Sequence, residues 1–118
     1  MLGLKSILIF GVIALFCLAC EKVILHDEPL SESEIISFSR DIRPIFNNCT
    51  GCHDGLRIPD LKNNPYTALI NGNYVNIKFP QQSKIYLQIT TNVQHKNRVN
   101  STQVQKILIW IKQGARNN

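Results

Sequence analysis

The chain has a single methionine, and it is Met1. No residue after the first can therefore offer a methionine thioether, one of the soft ligands that proteins give to metals. Histidine is also scarce: His26, His53 and His95 are scattered, so no H-x(3-5)-H pair exists. Acidic residues stop early, because Asp60 is the last Asp or Glu, while eight Lys and Arg follow it. No sequence period of solenoid length recurs, which excludes a repeat architecture. The longest apolar run, Ile7 to Leu18, falls short of the roughly 20 residues that a membrane-spanning helix needs. At 118 residues the chain has room for one domain.

What is present begins with the first 20 residues, MLGLKSILIFGVIALFCLAC. One lysine, an apolar stretch, no acid and a small residue before a cysteine are the grammar of an export signal. Ala19-Cys20 resembles the processing site of a bacterial lipoprotein, although Cys17 and Leu18 depart from its usual residues. Residues 1–19 are expected to be a signal peptide, with Cys20 lipidated. Residues 20–33, mixed and charged around Pro29, read as a tether, and His26 within it as a solvated side chain. The domain is expected over residues 34–118.

With Cys17 in the signal and Cys20 committed to lipid, Cys49 and Cys52 remain. A disulfide between them would close too short a loop to organise a domain. They belong to CTGCH, residues 49–53, and three chemistries use such a pair. Structural zinc needs four ligands, commonly from a second CxxC or a paired histidine motif, and the mature part has neither. A redox dithiol sits at a helix start in a βαβ unit, and no strand–helix alternation surrounds this one. C-x-x-C-H is also the attachment signature of c-type haem. Side chains three apart on a helical turn point the same way, so Cys49 and Cys52 can bond the two vinyl groups of one porphyrin edge. His53 then supplies the proximal nitrogen to iron. Bacterial haem attachment takes place after export, and the signal supplies export independently.

Around this motif the periodicity is helical. Ile35, Ile36, Phe38, Ile42, Ile45 and Phe46 recur at spacings of three and four, with Ser31 or Ser33 as caps and Pro44 interrupting before the haem motif. Residues 54–83 read as loops with a short helix from Pro65 to Leu69. Ser83 to Ile89 is compatible with a helix or a short strand. A terminal helix follows, capped by Asn100, Ser101 or Thr102 and stopped by Gly114. Its apolar face is Val104, Ile107, Leu108 and Ile111, with Trp110 at the border, and this face is expected to pack on the first helix.

Together, Phe38-x-x-x-Ile42-x-Pro44-Ile45-Phe46, Cys49-x-x-Cys52-His53 and Trp110-Ile111-x-x-Gly114-Ala115-x-Asn117 resemble the small single-haem c-type cytochrome domains of exported bacterial proteins. The resemblance runs from about Ile35 to Asn118. It implies an all-α, cytochrome c-like fold of a few short helices wrapped around one covalent haem c, with the first and last helices crossing beside it. It implies electron transfer between redox partner proteins rather than enzymatic catalysis. One departure matters: the family commonly supplies a methionine as second axial ligand ahead of the last helix, and this chain has none there. In the equivalent stretch, TTNVQHKNRVNSTQ, the best ligand is His95, with Lys96, water or an open position as alternatives. A second histidine gives a closed, lower-potential iron suited to electron transfer. An open position admits a small molecule, which makes ligand binding or peroxidase-like activity the alternative function. A haem subunit of a larger complex is a third reading. The basic second half fits an acidic docking partner or anionic lipid as well as a plainly solvated surface. No nucleic-acid recognition motif is present. The expected location is outside the cytoplasm, anchored by lipid and facing the periplasm or cell surface.

Overall fold

The computed structural model describes residues 29–118. The proposed signal peptide, Cys20 and His26 lie outside the described residues. Helices are the only regular elements among the described residues, and no strand occurs there. A π-helical turn, Phe38–Ile42, runs directly into a 3-10 segment, Arg43–Asn48, and the two together are α1. Three α-helices follow: α2, Pro65–Asn71; α3, Lys84–Thr91; and α4, Ser101–Lys112. A short 3-10 turn, Pro80–Gln82, leads into α3.

The first helix starts later than its hydrophobic pattern suggests. Ser31 and Ser33 form a turn of their own, with their hydroxyls 2.6 Å apart. The cap is Ser37, whose hydroxyl accepts from Arg40 N, while the Asp41 carboxylate accepts from Ser37 N at 2.9 Å. Ile35 therefore falls outside the helix and is 74% exposed, whereas Ile36 is buried. Pro44 has no N–H to give to the carbonyl four residues back, and the change from π to 3-10 winding coincides with it. Residues 29–33 of the expected tether lie against α4: Leu30 N donates to Gln105 Oε1 at 3.0 Å, and Glu32 pairs with Lys112.

Burial settles the segment that read equally as helix or strand. Ile85 and Ile89, four apart, are buried while Leu87 between them is 42% exposed, which is the period of a helix. Asn100 caps α4 in a reciprocal box with Gln103. The other end closes in a Schellman motif: Ala115 N donates to Trp110 O at 2.9 Å and Gly114 N to Ile111 O at 3.0 Å. Gly114 adopts φ +94°, which suits glycine there.

Trp110 is central to the core rather than at its border. It is fully buried, its ring centroid lies 5.4 Å from Phe38 and 6.5 Å from Tyr66, and Nε1 donates to Arg116 O at 2.9 Å. Tyr66 OH donates to Ala115 O at 3.1 Å, so one aromatic cluster ties α1, α2 and the end of α4 together. Leu108, expected on the buried face, is only partly covered, and Ile109 takes its place in the core. The expected packing of the last helix on the first is present, and α4 also packs against α3.

Asp41 links these helices electrostatically. Burial works against its ionisation, but bonds from Ser37 N, Arg40 and Lys106 outweigh burial and hold its carboxyl below the usual carboxylate range. A depressed folded-state value contributes stability above the unfolded value, near 3.8, that is lost as pH falls through the folded value. Asp41→Asn is expected to lose about 1–2 kcal/mol at neutral pH. In denaturant titrations its deficit against the parent should shrink steadily once the pH falls below about 4.

Candidate functional site

The CTGCH segment continues the chain straight out of α1. Cys49 N donates to Phe46 O at 2.7 Å, and Cys52 N and His53 N both donate to Cys49 O, at 3.1 and 3.0 Å. These bonds wind residues 49–53 into one further turn, which sets the spacing of its three chemical side chains. Cys49 is half-buried against the core and Cys52 is exposed; both are free thiols. Burial pushes the Cys49 thiol up, with Arg98 pulling it down less strongly. A redox dithiol works through a depressed thiol, so this environment speaks against that reading.

His53 is held by a loop that returns to it. Leu61 N donates to His53 O at 3.2 Å, and buried Leu61 anchors the return. His53 Nδ1 lies 3.1 Å from Pro59 O. A carbonyl only accepts, so Nδ1 carries the proton and Nε2 keeps its lone pair for a metal. Nothing in the spacing of the motif announced Pro59 as this partner. Its contribution comes from its carbonyl, which every residue has.

His95 reaches the same place from the connection between α3 and α4. Asn92 builds the turn that carries it: Asn92 O accepts from His95 N and Lys96 N at 3.0 and 2.9 Å, and Asn92 Oδ1 accepts from Gln94 N at 2.9 Å. Arg98 N then donates to His95 O at 2.9 Å. The outcome is a close pair, with the His53 and His95 ring centroids 6.2 Å apart and the ring planes tilted by 41°. Lys96, the neighbouring alternative ligand, is exposed and does not line the cleft between them.

That cleft has a volume of about 350 Å³, within the usual range for cofactor sites. Cys49, His53 and His95 line it, and Phe46, Leu61, Leu69, Ile85, Ile89, Val99 and Ile107 give it apolar walls contributed by α1, α2, α3 and α4. Ile58 and Leu87, 78% and 42% exposed, stand at its mouth. Tyr74 and Lys84 complete one side, the Lys84 ammonium lying 5.8 Å from the Tyr74 ring centroid. Two details fix that side. Buried Ser83 Oγ accepts from Asn76 N at 2.8 Å, and Tyr74 folds so closely over Gly72 that a Cβ there would meet its ring at 2.6 Å.

The arrangement can be tested against each chemistry. Among the described residues, no three His, Cys, Asp or Glu side chains gather into the kind of cluster that holds zinc through protein ligands alone. A porphyrin brings four nitrogens of its own and asks the protein for one or two axial ligands. Two imidazoles on opposite sides of one metal, each at the usual bond length of about 2.0 Å, have ring centroids roughly 6 Å apart. The observed pair has that separation, and both rings line a cleft whose other walls are largely apolar. Comparison with known proteins gave no matching family model, no matching curated protein and no matching solved structure. The chemistry of the site therefore rests on its own residues.

Proposed function

We propose that this chain is a membrane-anchored, single-haem c-type cytochrome of cytochrome c-like fold that passes electrons between redox partner proteins. The observation that carries the proposal is the approach of the His53 and His95 rings to 6.2 Å on the lining of one apolar cleft that also takes Cys49 of the CxxCH turn. Cys49 and Cys52 would hold haem c through thioethers, and His53 and His95 would give its iron their imidazole nitrogens. Bound there, haem would supply a one-electron couple, with a lower potential than a methionine ligand would give. The residues around it orient, enclose and insulate. Pro59 O fixes the His53 tautomer, the Asn92 turn aims His95, and the Leu and Ile walls keep water from the centre of the cleft.

Further features support the cellular setting. Export and lipidation at Cys20 would expose the domain to the periplasm or cell surface, where haem attachment takes place. The absence of acids after Asp60 gives the second half of the chain a positive field suited to an acidic docking surface on a partner. One measurement reads both covalent additions: the intact mass, under denaturing conditions, of protein taken from the membrane fraction. The expected mass is that of residues 20–118 plus one haem plus acyl chains. Cys20→Ser should shift the protein to the soluble fraction without touching the haem, because a multiply acylated terminus is what holds it to the membrane. Haem that extracts freely into acid organic solvent would refute the thioether assignment.

A further inference from the structure

The two histidines that line the cleft are supported unequally. His53 sits inside the CxxCH turn with Nδ1 bonded to Pro59 O, so its position and its basicity as a ligand are both reinforced. His95 has no such support: its Nδ1 is buried with no hydrogen-bond partner, the one such side-chain atom among the described residues. The nitrogen left for the cleft is Nε2. When Nε2 binds a metal, the imidazole proton must reside on Nδ1, and it is then a buried donor with no acceptor. Ligation by His95 thus carries a penalty that ligation by His53 does not. Loss of such an outer partner commonly weakens a metal–histidine bond by about 10- to 100-fold. The carrying segment is also exposed on its outer side. Val93 is 73% exposed, and Gln94, Lys96, Asn97 and Arg98 around His95 are exposed as well.

From this asymmetry we infer that the distal position is closed but openable, with His95 as a displaceable ligand and the cleft as a binding site for a small neutral diatomic molecule. The inference rests on the reading of His53 and His95 as axial ligands. The apolar walls, among them Leu69, Ile85, Ile89 and Val99, favour an uncharged ligand. His95 must leave before that ligand enters, so opening of the His95 bond sets the upper limit on the rate of entry.

The test is carbon monoxide binding to the reduced holoprotein, followed by stopped flow over a wide range of carbon monoxide concentration. The expected result for the parent is a rate that rises and then levels off at the opening rate of the His95 bond. His95→Ala should bind at a rate linear in concentration, and at least about 10-fold faster than the parent at the concentration where the parent levels off; His95→Gln serves the same purpose if the alanine variant folds poorly. A parent that takes up no carbon monoxide over hours, while either variant does, would overturn the inference and leave the axial assignment intact. A parent that is low-spin before addition yet binds with no plateau would also overturn it. A parent already high-spin before addition would remove His95 as a ligand altogether, and the inference with it.

Discussion

His95→Ala is expected to convert a low-spin, six-coordinate haem protein into a high-spin one, with the whole visible spectrum changing in both oxidation states. The size of the effect follows from the geometry. Among the described residues, His95 is the one other histidine, and its ring centroid lies 6.2 Å from that of His53 on the lining of the same cleft. Lys96 is exposed outside the cleft and offers no replacement without rebuilding the turn that Asn92 fixes. Because the change removes a half-buried turn side chain that lines the cleft and whose Nδ1 makes no hydrogen bond, the fold should survive it, and helical circular dichroism should be unaltered. An unchanged low-spin spectrum in this variant would show that another group closes the iron.

Trp110→Ala should have the largest effect on stability. The indole is fully buried between Phe38 and Tyr66, and it donates to Arg116 O. Truncating such a residue costs about 3–5 kcal/mol through lost transfer energy and the cavity left behind. Small domains have total stabilities of about 5–15 kcal/mol, so the variant should be marginal or unfolded before haem is attached. Trp110→Phe should keep most of the ring contacts and lose about 1 kcal/mol with the Nε1 bond. The denaturant midpoints of the two variants, measured on protein without haem, separate packing from hydrogen bonding. Equal midpoints would contradict the central place given to the indole.

These results bear on what was legible in the chain. The capped start of α4 at Asn100, its stop at Gly114 and the short helix from Pro65 follow local rules, and all three are present. The start of α1 does not follow its apolar periodicity. Ile35 fits the pattern, yet Ser37 caps the helix two residues later because Asp41 is there to complete the exchange of hydrogen bonds. Trp110 looked peripheral because only the spacing within α4 was visible, whereas its neighbours Phe38 and Tyr66 come from elements 44 and more residues away in sequence. The same limit applies to the site. Cys49, Cys52 and His53 are adjacent in sequence and announce themselves, and His95 could be nominated from its position ahead of α4. The partners that set their chemistry could not be nominated. Pro59 acts through a carbonyl, Asn92 through a turn, and Arg98 through a field at Cys49. Each depends on the chain folding back on itself.

The central claim is that His53 and His95 are the two axial ligands of one covalently held haem. The most direct measurement is the near-infrared magnetic circular dichroism of the oxidised, membrane-extracted protein, because the charge-transfer band there reports the pair of axial ligands. A single low-spin band at the energy characteristic of two imidazoles is the predicted result. A high-spin spectrum, or a band characteristic of histidine paired with an amine or with water, would contradict it.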